Sequence, residues 1–287
     1  MTPVMPERVD RRGLKADVKE LLRTAQVSPR GMAALYLGLG LLLNLIDSFV
    51  NQSASDDLIS PVGLFVTILA TLLSAVLGVG FVLYCMAIRR GERSEYLTLF
   101  DGFSFVGKII ALELLMSLFI ALWAMLFVIP GIVAAYRYRF ALYNLCENPG
   151  IGVLEALDMS KRQTWGYKGQ LFVLDWSYFG WELLATLPLL ITLGYMFYAA
   201  FQMIYQGGSS VPWVMMALHP GQVFLWMVLS GVWAFAVALF YRPNYQCVEL
   251  GYFEIAKRTS GVGFQPGPPQ LGDGVDGGDW SGGWGEM

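Results

Sequence analysis

Runs of about twenty apolar residues, separated by short polar segments, constrain this chain more than any other feature. Twenty helical residues rise about 30 Å, one hydrocarbon thickness. A segment in lipid must satisfy its own backbone hydrogen bonds, and for runs of this length that means helices. Ser28-Pro29 and Ser60-Pro61 each supply a hydroxyl N-cap followed by proline at the first helical position. They open spans at 31–50 and from 61 to about 88. A third span covers about 104–129 and ends at Pro130-Gly131. The fourth is 132–147. The fifth starts near Gln170 and runs through Pro188, where a kink is expected. The sixth is 222–241. The expected fold class is therefore all-α, a polytopic transmembrane bundle of about six spans with amphipathic helices outside the bilayer.

Composition agrees. The 287 residues are 56% hydrophobic and 14% charged, against about 25% charged for a soluble domain. A net charge of −3 gives no reason to expect a nucleic-acid partner. The three cysteines form no CxxC pair and there is one histidine, His219, so neither a disulfide framework nor a metal site is expected. No P-loop, GxSxG or HExxH is present, and no cofactor is expected. Residues 1–30 contain no short apolar core before a cleavage site, so no cleavable signal is expected.

The basic residues set the expected topology. Every lysine and arginine except Arg137 and Arg139 lies before residue 31, within 89–108, within 161–168, or after 241, and the loops 51–60 and 206–221 carry none. Basic loops stay inside, so both termini are expected in the cytoplasm. The stretch 132–147 must then cross back, because 89–103 and 148–169 are both basic.

Four regions follow. Residues 1–30 are a cytoplasmic leader with a basic amphipathic helix at 13–27. Its Leu14, Val18, Leu21, Leu22 and Ala25 share one face, and Lys15, Lys19 and Arg23 share another. That helix suits an anionic membrane surface or packing on the chain's own loops. Residues 31–241 are the membrane domain. Within it, Ser94 is placed to cap a short helix laying Leu97, Leu99, Phe100 and Phe103 against the membrane. Residues 242–259 are a cytoplasmic amphipathic segment. Residues 260–287 are a Gly/Pro-rich tail carrying Trp280 and Trp284, expected to be disordered and able to recruit a membrane or cytoplasmic partner.

The segments RGERSEYLTLFDGF, LFVIPGI, NPGIGVLEALDMSKRQTWGYKGQLFVLDWSYFGW and RPNYQCVELGYFEIA, with LKADVKELLR before the first span, resemble a bacterial integral-membrane family catalogued as domain of unknown function 975. The resemblance covers roughly 13–256. It implies a multi-pass protein of the bacterial plasma membrane with no established activity. The family is distantly similar to the membrane domain beside some glycerophosphodiester phosphodiesterases, whose catalytic part has no counterpart here. The tail goes beyond the family pattern.

Ionisable groups inside a membrane are functional candidates. Arg137 and Arg139 lie two residues apart, about 200° around a helix, so they face different directions. Glu182 lies near mid-depth of the fifth span, placed to pair with Arg139. Glu113 lies in the third span, Asp175 at the start of the fifth, and Asn44 and Asp47 in the first. These groups read as a polar network fixing helix register, as a lipid-headgroup or anion site using Arg137 or Arg139, or as a proton or ion relay through Glu113 and Glu182. The leading functional reading is a non-enzymatic membrane protein engaging lipids or a partner. A small-solute or ion transporter is the alternative. An enzyme acting on lipids would need Glu147, Asp158 and Arg162 to cluster.

Overall fold

The computed structural model describes residues 6–53, 60–205 and 220–263, and among these every regular element is a helix. Most of the loop at 51–60, the apolar piece within 206–219, His219 and the Trp-bearing tail lie outside the described residues.

Helix α1 (Arg11–Thr24) starts where the Asp10 carboxylate accepts from the Arg12 N–H at 3.0 Å. Its apolar face rests on the protein, not on lipid: Val18 is buried and Leu14, Leu21 and Leu22 pack against the main core, with α1 lying along α3 and the last helix. Lys15 is docked as well. Its Nζ donates to Ser177 Oγ at 2.9 Å and lies 4.0 Å from the Tyr178 ring centroid. Burial, and then the nearby Arg11, hold the Lys15 pKa below its ordinary value.

Helices α2 (Pro29–Ser53) and α3 (Pro61–Arg89) begin at the expected caps. The Gly31 N–H donates to Ser28 Oγ at 3.3 Å, and the Gly63 N–H to Ser60 Oγ at 3.4 Å. A 3-10 helix (Tyr96–Phe105) follows, capped by Glu95 and Thr98 rather than by Ser94. Leu97, Phe100 and Phe103 are exposed, but Leu99 is wholly buried against α3. Gly80 makes that approach possible, since a Cβ there would overlap the Leu99 carbonyl.

The third span ends earlier than expected. Helix α4 (Val106–Leu126) stops at Phe127, whose extended backbone makes the turn into α5 (Val128–Tyr138). Pro130 and Gly131 lie in the first turns of α5, where the missing proline N–H has no intrahelical acceptor to lose. Gly131 lets α5 press on α4: a Cβ there would lie 2.8 Å from Ala124 Cβ. The expected fourth span is two helices, α5 and α6 (Ala141–Glu147), broken at Arg139 and Phe140. Helix α7 (Val153–Gln163) braces that break. Fully buried Ser160 accepts from the Phe140 N–H at 3.1 Å and donates to the Arg137 carbonyl at 2.9 Å. Ser160→Ala removes the hydroxyl acceptor of the Phe140 N–H and leaves the Arg137 carbonyl only the longer bond from Thr164 Oγ1 at 3.3 Å, and is expected to cost about 1–3 kcal/mol, read as a lower melting temperature in detergent. An unchanged melt would show that the break needs no such bridge.

Helices α8 (Lys168–Trp176) and α9 (Phe179–Tyr205) replace the fifth span, and the bend between them is 55°. It falls at Ser177 and Tyr178, and Pro188 lies further on, inside α9. The Ser177 hydroxyl donates back to the Leu174 carbonyl at 2.6 Å, a contact that favours bending. Helix α10 (Pro220–Ser260) is 41 residues long and runs through Pro243, so the sixth apolar run and the amphipathic segment after it are one rod.

Four stretches are long and apolar enough to cross a membrane: Pro29–Asn51, Pro61–Arg89, Tyr96–Leu126 and Phe224–Ser260. The bent pair of α8 with α9 makes a fifth. The main core gathers α1, the start of α2, the second halves of α3 and α10, and α6 and α8. Along the other halves Phe49, Phe65, Phe127 and Phe197 stand exposed. So much apolar surface on the outside fits a lipid environment.

Candidate functional site

The densest ionic group is built where α5 breaks. Gly131, Ala134 and Tyr138 form the buried face of α5, and the break turns Arg139 inward while Arg137 stays exposed. Arg139 meets α8 and α10. Its Nη1 and Nη2 donate to the two Asp175 oxygens at 2.7 and 3.0 Å, a forked pairing suited to a guanidinium. Its Nε donates to Glu249 at 2.5 Å, and Nη2 also donates to the Tyr245 hydroxyl. The Tyr245 hydroxyl in turn donates to Asp175 at 2.8 Å, and Tyr136 donates to the other Asp175 oxygen at 2.7 Å. The side chains of Arg139, Asp175 and Glu249 are 20%, 30% and 5% exposed. One cation thus faces two carboxylates, and four of the five guanidinium N–H groups are engaged.

Of the sequence-derived candidates Arg139 and Asp175 come together, while Arg137, Glu113 and Glu182 do not join them. Glu182 does not pair with Arg139 but accepts from the Tyr241 hydroxyl at 2.7 Å. The bend before α9 leaves Asp175, one helix earlier, in the place expected of Glu182. Glu113 is exposed on α4. Arg137 contributes its carbonyl, not its guanidinium, to the contact with Ser160. Sequence reasoning missed Glu249, Tyr245 and Tyr136. A signal existed: Tyr241, Tyr245 and Glu249 recur every four residues and form one stripe of α10. Ending the sixth span at Tyr241 hid it.

A second ionic layer ties the polar end together. Glu147 accepts from Arg90 at 2.8 Å and from Lys257 at 2.6 Å, and Arg89 pairs with Glu254 at 2.5 Å. Lys108 donates to the carbonyls of Pro149 and Ile151. Asp158 and Arg162 pair with each other along α7, so Glu147 is held by different partners. Cys85, Cys146 and Cys247 are buried and unpaired by disulfide. Among the described residues no group of three His, Cys, Asp or Glu side chains is placed to hold a metal. Between α2, α3, α9 and α10 lies a cavity of about 600 Å³ lined by apolar side chains with Asn44, Ser74, Thr186 and Ser230.

Residues 125–243 match the model of a family described as a protein of unknown function, DUF975. The matched stretch contains Arg139, Asp175 and Glu182 and stops short of Tyr245 and Glu249. It is less than half of the chain and shorter than the 13–256 expected from the segment motifs. Comparison with curated proteins and with solved structures gave no match.

Proposed function

We propose that this chain is a six-span protein of the bacterial plasma membrane, with both termini in the cytoplasm, that catalyses no reaction and works by engaging lipids or a membrane partner. One observation carries the reading. Arg139, its side chain 20% exposed, has four of its five guanidinium N–H groups engaged by the chain itself, which supports a role as a fastener between α5, α8 and α10 rather than as a reaction centre. The topology draws support from Lys108, which reaches Pro149 and Ile151. The hairpin of α4, α5 and α6 starts and finishes at one level, so a crossing by α4 is matched by a return. The tail with Trp280 and Trp284 is the proposed attachment for a cytoplasmic partner.

Cysteine labelling tests the arrangement. A membrane-impermeant maleimide is expected to reach Val128→Cys, at the hairpin tip, from outside intact cells, and Arg93→Cys only from the cytoplasmic face. A Val128→Cys variant labelled only from the cytoplasmic side would remove the six-span reading. For the activity, native mass spectrometry of protein released from nanodiscs is expected to show retained lipid or a co-released partner.

The transporter alternative rests on the cavity between α2, α3, α9 and α10. Gly231 lines it, and a Cβ there would meet Leu41 Cδ1 at 2.7 Å. On this reading Gly231→Leu abolishes solute flux in proteoliposomes at unchanged expression. Flux indistinguishable from empty liposomes for the wild type would end it.

A further inference from the structure

The elbow between α1 and α2 encloses a groove of about 720 Å³ against α10. Its walls carry Lys19, Arg23 and Arg30, with no carboxylate among its lining residues. Among the described residues none of the three forms an ion pair with the protein, in contrast to Lys15, which is docked on Ser177 and Tyr178. Lys19 and Arg23 lie one turn apart on α1, side by side on one face. Ser28, Gln26 and Asn244 add hydrogen-bonding groups.

Depth gives the groove its meaning. Arg30 stands where α2 changes from polar to apolar, and Asn244 and Pro243 stand where α10 makes the same change after Phe240. Both helices therefore place the groove at the boundary between headgroups and hydrocarbon. Its apolar rim agrees, for Phe240 is 64% exposed beside Leu239. The Arg30 guanidinium lies over the Phe240 ring at 6.0 Å, so cation and acyl-facing surface adjoin. The elbow is held in place, since the Tyr84 hydroxyl donates to the Val27 carbonyl at 2.8 Å.

We propose that this groove binds the phosphate headgroup of an anionic phospholipid of the surrounding bilayer, with Lys19, Arg23 and Arg30 as its cationic contacts and Phe240 against the upper acyl chain. The proposal rests on the membrane-protein reading above and adds to it the site and the lipid class. Helix α1 is thereby an anionic-lipid element after all, through its basic face at one elbow and not through its apolar face.

The test compares three full-length proteins: wild type, Lys19→Gln/Arg23→Gln/Arg30→Gln, and a control that loses equal charge elsewhere, Arg12→Gln/Arg93→Gln/Arg137→Gln. Each is titrated in detergent with phosphatidylglycerol or phosphatidylcholine, and retained lipid is counted by native mass spectrometry. Wild type and control are expected to hold one phosphatidylglycerol, and the groove variant to bind it about tenfold more weakly or worse. Phosphatidylcholine is expected to bind all three alike. Equal phosphatidylglycerol binding by the groove variant and the control would overturn the groove while leaving a lipid-engaging protein. Extraction of the wild type from membranes by alkaline carbonate would instead overturn the membrane reading itself. A matched melting temperature for the two variants shows that both are folded.

Discussion

Arg139→Ala is expected to lower stability by about 3 kcal/mol, more than any other single charge removal in this chain. The reason is what remains. Asp175 and Glu249 keep their positions on α8 and α10, but their shared cation is gone. Tyr245 and Tyr136 still donate to Asp175, whereas Glu249, the most enclosed of the three, loses its one ion pair among the described residues. The measurement is thermal melting in one detergent, with Arg137→Ala beside it. Arg137 is exposed and forms no ion pair among the described residues, so its loss is expected to stay within about 0.5 kcal/mol. A triple variant, Arg139→Met/Asp175→Asn/Glu249→Gln, removes all three charges and is expected to recover much of the loss. If Arg139→Ala melts like the wild type, the three-helix fastener is not one.

Gly80→Val is expected to have a comparable effect, about 3 kcal/mol, through overpacking rather than charge. The clash is backbone against side chain: the added Cβ overlaps the Leu99 carbonyl, and no rotamer can relieve it. Gly102 repeats the theme from the other partner, since a Cβ there would sit 2.8 Å from the Val76 carbonyl. The 3-10 helix at 96–105 must therefore lift from α3, exposing Leu99. Gly107→Ala is the matched control, with nothing within 4 Å of its new methyl group, and should be neutral or slightly stabilising. Greater protease sensitivity near residues 90–105 in Gly80→Val, absent from Gly107→Ala, is the expected signature. Equal melting of the two variants would defeat the argument.

Periodicity and composition announced a helical chain, its apolar runs and the two Ser-Pro helix starts, because these depend on local capping and on hydrophobicity alone. The breaks were harder to read. Pro130 looks like punctuation, yet it occupies a first turn, whereas the chain breaks at Phe127, Arg139 and Ser177, which carry no strong local signal. Those positions are set by tertiary contacts, such as Ser160 bridging the groups around Phe140. The hub was half visible for the same reason. Arg139 and Asp175 stood out as charges in apolar runs, but Glu249 looked like an ordinary residue of a polar segment until α10 proved continuous. The groove at the elbow escaped because its cations come from two helices whose relative placement no sequence period encodes.

Continuity of α10 has a mechanical consequence. At about 1.5 Å per residue this helix is roughly 60 Å long, so a tilt of only about 10° at one end displaces the other by about 10 Å. Its first half carries exposed apolar side chains, and its second half carries Tyr245, Glu249, Glu254 and Lys257, the groups that clamp α3, α5, α6 and α8. Pro243, which denies the Leu239 carbonyl its usual partner, lies between the two halves. The apolar arm and the residues of the ionic clamps therefore belong to one helix, with no loop between them to absorb a movement of either end.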